Sequence, residues 1–168
     1  MTRQTPPDVE GARAQLDRAR ALIEVHGTTV DFTYYQIELA RVEWLSGNYE
    51  DAFEISTLAI ANTDPSKDRL QRADAYLLVA RSQISLGHKA ESSMNLLAAR
   101  SSLLEMEPSR QNALAWRELG DIYSGLGYLE DAIDAYREAL QEAGVSASPL
   151  AFTEFERAKE KIEIRKNS

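Results

Sequence analysis

The sequence predicts an all-α protein built from repeated antiparallel helix hairpins, about eight helices in all. Three observations lead there. First, small and apolar residues recur with a period of 40: Gly47, Gly87 and Gly127 lie in "WLSGNYEDA", "ISLGHKAES" and "SGLGYLEDA". Leu39, Val79 and Leu119 share that spacing, as do Ala40, Ala80 and Gly120, and Ala59, Ala99 and Ala139. A fixed period in this range marks stacked supersecondary units. Second, the chain is rich in the strong helix formers Ala, Leu, Glu, Arg and Gln, with only 8 Gly and 5 Pro among 168 residues. Third, each period divides at its glycine into two amphipathic segments of helical length.

The elements follow in order. Residues 1–7 read as a disordered N-terminal segment, and Asp8 in "PPDVEG" is placed to cap a first helix. Ala12, Leu16 and Ala19 stand one period before Ala52, Ser56 and Ala59, so residues 8–27 read as a half repeat that supplies only the second helix of a pair. Three full repeats follow at about 31–64, 67–107 and 109–144. Their first helices are expected at roughly 31–46, 67–86 and 109–126, and their second helices at roughly 48–63, 88–106 and 128–143. Gly47, Gly87 and Gly127 sit at the sharp turns, where a left-handed backbone costs glycine no Cβ clash. Prolines punctuate the connections "NTDPSKD", "MEPSRQN" and "VSASPL", with Asp64 and Ser148 as expected N-caps. The carboxylate pairs Glu50–Asp51 and Glu130–Asp131 open second helices, where the helix dipole favours them.

Gly120 falls inside a helix, at a cost of about 1 kcal/mol relative to alanine. With Ala40 and Ala80 it occupies the one position per repeat where the partner helix must pass closely. A last helix, about 149–165, carries Leu150, Phe152, Phe155, Ala158 and Ile162 on one face. Two readings fit that face: a cap closing the array, as terminal repeats require, or an oligomerisation surface.

Composition excludes several functions. A net charge of -8 opposes phosphate backbones and anionic membranes, so neither nucleic acid nor membrane is an expected direct partner. The chain has no cysteine, hence no disulfide framework and no thiolate metal site. No signal-like segment or long apolar run occurs, and a cytoplasmic location is expected. The two histidines, His26 and His88, are far apart and lie at a helix end and a turn. No nucleophile–base pair, metal-ligand set or phosphate loop is spaced for chemistry, so the expectation is a non-enzyme without metal or cofactor.

The third period carries a resemblance. Trp116, Leu119, Gly120, Tyr123, Ala132, Tyr136 and Ala139 resemble the tetratricopeptide-repeat pattern W-x₂-L-G-x₂-Y…A-x₃-F, with Tyr136 in place of Phe. Tyr76, Val79, Ala80 and Ala99 match it in the second period, and Leu39, Ala40, Ala52 and Ala59 in the first. The long period resembles the tetratricopeptide sensor regions of actinobacterial transcription regulators. The resemblance implies a right-handed superhelical α-solenoid whose first helices line a concave face, and it implies binding of a protein or peptide.

With Thr33, Ala73 and Ala113 as first positions, the family's groove positions fall on Tyr34, Ile37, Arg41 and Trp44, then Asp74, Leu77, Arg81 and Ile84, then Leu114, Arg117, Asp121 and Ser124. The partner-binding candidates are Tyr34, Ile37, Arg41, Trp44, Leu77, Arg81, Ile84, Arg117 and Asp121. Arginines beside apolar and aromatic surface suit a peptide with an acidic group or C-terminal carboxylate and apolar anchors. The competing reading pairs Arg41 with Glu38 and Arg117 with Asp121 along their own helices and puts Trp44 in the core. Arg81 has no acid three or four residues away on its own helix, but Asp121 stands at the same position one repeat on. Two further functions stay open: a homodimer joined through terminal helices, and a small-molecule sensor in the superhelix cavity.

Overall fold

A computed structural model describes residues 8–143 and 149–166. Among these residues the chain is all-helical, with eight helices and no strand: α1 (Val9–His26), α2 (Thr29–Leu45), α3 (Tyr49–Asn62), α4 (Arg69–Ser85), α5 (Lys89–Leu104), α6 (Arg110–Leu126), α7 (Leu129–Ala143) and α8 (Pro149–Lys166). The period is visible in the boundaries. α3, α5 and α7 begin 40 residues apart, and α2 and α4 both begin and end 40 apart. The expected N-terminal segment 1–7 and the cap Ser148 lie outside the described residues.

Local signals explain most helix ends. Asp8 Oδ1 accepts from the Gly11 amide at 2.8 Å and starts α1. Thr28 and Asp31 form a reciprocal capping box at α2, which satisfies two otherwise orphaned amides. Ser109 caps α6 through the Asn112 amide. Gly47, Gly87 and Gly127 all adopt positive φ, 85°, 88° and 82°, and the described residues have no other positive-φ position.

The start of α4 differs from expectation. Asp64 does not cap it; its Oδ1 instead accepts from the Ser66 amide and hydroxyl, closing a turn around Pro65. Asp68 takes the N-cap position without a side-chain cap bond, because its carboxylate reaches back to the Asp64 amide at 2.8 Å. The helix therefore opens at Arg69, two residues late.

The chain divides into two compact units, residues 1–95 and 96–168, with the division inside α5. In the first unit α2 packs on α1, α3 and α4, and α3 packs on α4. The helices of each pair run antiparallel: Asn62 at the end of α3 donates to Gln36 in the first half of α2 (2.9 Å), and Asn95 in the first half of α5 donates to Gln83 near the end of α4 (2.8 Å). Ile37, Ala40, Ala59, Ala75 and Leu78 form the core of this unit, with Ile55 and Ile60 against it. At about 1.5–3 kcal/mol for each large aliphatic side chain buried, this core is the main term holding the hairpin. α1 buries no residue fully. It is tied to α2 by Arg13, whose two terminal nitrogens reach the two Glu43 oxygens at 2.6 and 3.0 Å. Asn48 also donates to Glu43 at 2.7 Å. The Arg13 bond, the strongest effect, holds the buried Glu43 carboxyl below its ordinary pKa against the opposing effect of burial.

In the second unit α6 and α7 form the tightest pair, and α8 packs on α7 and touches α6. Trp116, Leu119 and Tyr123 of α6 meet a buried α7 face of Leu129, Ala132, Ala135, Tyr136 and Ala139. Gly120 has a specific reason here. A Cβ on it would lie 2.5 Å from Tyr136 Cε1 and 2.6 Å from Cδ1, so the ring occupies the space of the missing methyl. The equivalent second-helix residues in the earlier periods are Ser56 and Leu96, both buried but smaller or more pliable than tyrosine. On α8, Ala158 is buried, Phe155 and Ile162 are half-buried, and Phe152 is exposed. Nothing is described of the Leu150 side chain.

Candidate functional site

The surface expected to bind a partner draws on α2 and α4 in the first unit and on α6 in the second. Within the first unit, the side chains of Tyr34, Arg41 and Trp44 (α2) and Arg81 and Ile84 (α4) all retain solvent exposure, Tyr34 most at 46%. Ile37 and Leu77 do not belong with them. They are 2% and 0% exposed, and Ile37 is part of the hydrophobic core. The physical reason is helical phase: an apolar residue at the fifth position of each first helix turns toward the neighbouring helix and gains more from burial than from contact with solvent.

Trp44 is the centre of the exposed set. Its indole Nε1 donates to Ser85 Oγ at 3.2 Å, tying the end of α2 to the end of α4. One neighbour of its ring is Tyr49, with centroids 6.2 Å apart. The Arg81 guanidinium carbon lies 5.0 Å from the Trp44 ring centroid, a cation–π contact between the two first helices of consecutive pairs. Arg41 reaches Glu38 at 3.7 Å, a partly exposed pair of the kind that contributes little. Trp44 is therefore half-exposed and partnered, neither a free anchor nor a fully buried core residue.

In the second unit the two candidates separate. Asp121 accepts from the Tyr136 hydroxyl at 2.9 Å, an internal bond that spans the α6–α7 hairpin. Burial, together with the Asp121 charge, pushes the Tyr136 phenol well above its ordinary pKa, so the proton stays in that bond. Asp121, half-buried, thus ties the hairpin through one of its carboxylate oxygens. Arg117 is half-buried, and its Nε is buried without a hydrogen-bond partner among the described residues.

The site holds arginine, indole, phenol and aliphatic groups, which can bind charged and apolar parts of a partner. No three or more His, Asp or Glu side chains gather to hold a metal among the described residues. No helix among them is long and apolar enough to cross a membrane. Sequence reasoning missed Ser85, whose hydroxyl orients the indole; only the spacing of 41 between Trp44 and Ser85, one residue beyond the period, hinted at their meeting. No family model matches the chain, and no curated protein matches it.

Proposed function

We propose that the protein is a non-catalytic binding module of tetratricopeptide-like, right-handed solenoid architecture, and that it recognises a protein or peptide carrying a carboxylate beside apolar anchors. The observation that carries this reading is the Arg81–Trp44 stack. A guanidinium held over an indole that is itself tied by a hydrogen bond loses less side-chain freedom on binding than a free arginine would, and preorganisation of this kind raises affinity. Arg41, Tyr34 and Ile84 supply further charge and apolar surface on the same two helices. Arginine and tryptophan are also the residue types most often found at binding hot spots.

The test is an array of peptides with free or amidated C-termini, probed with wild type and with an Arg41→Glu/Arg81→Glu variant whose helicity is checked by circular dichroism. Binding that prefers free carboxylates and disappears in the folded variant is the expected result. Equal binding by both proteins would move the site off α2 and α4. A second reading, self-association through α8, has its own support in Phe152 and Ile164, which are exposed at 41% and 66%. It predicts a mass that rises with concentration in sedimentation, and a monomer at high concentration would refute it.

A further inference from the structure

The period of 40 makes one comparison possible that no single repeat offers. The bond from Asn62 Nδ2 to Gln36 Oε1 in the first repeat recurs 80 residues on, where Trp116 Nε1 donates to Glu142 Oε1 at 3.1 Å. Both bonds join the end of a second helix to the middle of its first helix. In the first repeat two neutral amides perform that task. The carboxylate charge at 142 is therefore not needed to close the hairpin.

That charge is held at some cost. Glu142 is half-buried, and burial is the main effect raising its pKa above the ordinary carboxyl value. Glu138 precedes it by one turn and is also half-buried; like charges at that spacing repel. Neither carboxylate forms an ion pair with any described residue. Glu142 Oε2 takes a long 3.4 Å contact from the Ser109 amide, and the Asn112 side chain also hydrogen-bonds to the Glu142 carboxyl. Asn112 is itself fully buried; its amide nitrogen also donates to the Glu107 carbonyl at 2.7 Å, and its Oδ1 accepts no hydrogen bond among the described residues.

The two carboxylates also line a cavity of about 240 Å³ in the second unit, whose walls include Trp116, Leu103, Met106 and Pro108. That volume is below the roughly 300–1,000 Å³ of pockets for drug-sized ligands and suits a group of side-chain size. An indole, an aliphatic wall and two carboxylates without a counter-ion among the described residues, in one cleft of an acidic protein, describe the complement of a cation on an apolar stem.

We infer that the cleft between the end of α5, the start of α6 and the end of α7 is a binding site for an organic cation, an ammonium or guanidinium group on an apolar stem, with Glu142 and Glu138 as the charge partners and Trp116 as the wall. The site goes beyond the function proposed above: it lies in the other unit, takes the opposite charge and does not depend on Arg41 or Arg81. Its source is either a free amine or a lysine or arginine side chain of another protein, and the same chemistry recognises both.

The experiment is a titration of ¹⁵N-labelled protein followed at the two tryptophan indole N–H cross-peaks, assigned with a Trp44→Phe variant. The probes are phenethylammonium, its neutral analogue phenethyl alcohol, and Nα-acetyl-lysine methylamide. The Trp116 cross-peak is expected to shift saturably with the cationic probes while that of Trp44 stays in place. Glu142→Gln, which keeps an acceptor for the indole, is expected to weaken binding at least tenfold, and Glu138→Gln several-fold. Tighter binding of the capped lysine would point to a protein side chain as the source, and tighter binding of the free amine to a small molecule; either supports the site. A Trp116 shift as large with the alcohol, no shift with any cation, or unchanged affinity in Glu138→Gln and a folded Glu142→Gln would overturn it.

Discussion

Replacing Gly120 by alanine sets two physical effects against each other, and the geometry decides the sign. Intrinsic helix propensity favours alanine by about 1 kcal/mol. Against it, the new methyl would sit 2.5–3.0 Å from three atoms of the Tyr136 ring. The ring cannot give easily, because it is 1% exposed and its hydroxyl is tied to Asp121 at 2.9 Å. Overpacking a well-filled core costs about 1–3 kcal/mol, and a loosened Tyr136–Asp121 bond adds to that. The net expectation is a loss of about 1–2 kcal/mol from the second unit. In urea, with a slope of about 1–3 kcal/mol per molar, the unfolding midpoint falls by roughly 0.5–1 M. Trp116 emission in a Trp44→Phe background reports on that unit alone.

Two companions make the test sharp. Gly125→Ala lies in the same helix with nothing within 4 Å of its added Cβ, so it is expected to stabilise by about 0.4–1 kcal/mol. Gly120→Ala combined with Tyr136→Leu reproduces the alanine and leucine that stand one period earlier at Ala80 and Leu96. The two changes are expected to couple favourably, by about 1–2 kcal/mol relative to the sum of the single variants. Stabilisation by Gly120→Ala of the same size as by Gly125→Ala would refute the steric account.

Other consequences are simpler to state. Gly87→Ala meets nothing within 4 Å, so only its positive φ opposes the change; a loss of about 1 kcal/mol is expected in thermal melts, and no loss would show that the turn rearranges. Arg13→Met leaves Glu43 buried beside Asn48 alone, and since Arg13 is itself 42% exposed the expected loss is a discounted ~1–2 kcal/mol. Because Arg13 depresses the Glu43 pKa, the wild-type advantage is present above the unfolded carboxyl value of about 4.3 and fades as pH falls through the lower folded value. A wild-type-minus-variant difference that does not shrink on acidification would contradict this. Glu142 has the opposite sign. Its raised pKa favours the folded state fully below about 4.3 and loses that contribution as pH rises through the folded value. Wild type should therefore lose stability relative to Glu142→Gln as pH rises through that window, and parallel pH profiles would count against a desolvated carboxylate.

The candidate sites were legible to different depths. Tyr34, Arg41, Trp44, Arg81 and Ile84 could be placed on two neighbouring helices by position alone. Position could not say that Ile37 and Leu77 turn inward, because a side chain's phase depends on which neighbour presses on the helix. Asp121 read as an ion-pair partner for Arg117 four residues earlier. It accepts from Tyr136, fifteen residues later, because a buried hydroxyl on the facing helix needs an acceptor. The Trp116–Glu142 bond was present in the numbering as a copy of Gln36–Asn62, yet neither pair announces itself until one of them is seen to meet.

By itself the sequence determined the all-helical class, the period of 40, the three left-handed glycine turns and the Asp8 cap. Each is a local matter: helix propensity, a missing Cβ and a carboxylate within reach of a free amide act over a few residues, and the chain states them directly. The tertiary structure alone decided that α4 starts at Arg69, that Gly120 makes room for an aromatic ring, and that two carboxylates line one cleft beside an indole. Those outcomes depend on which side chains arrive from tens of residues away, and on the free energy of burying a ring or a charge where they meet.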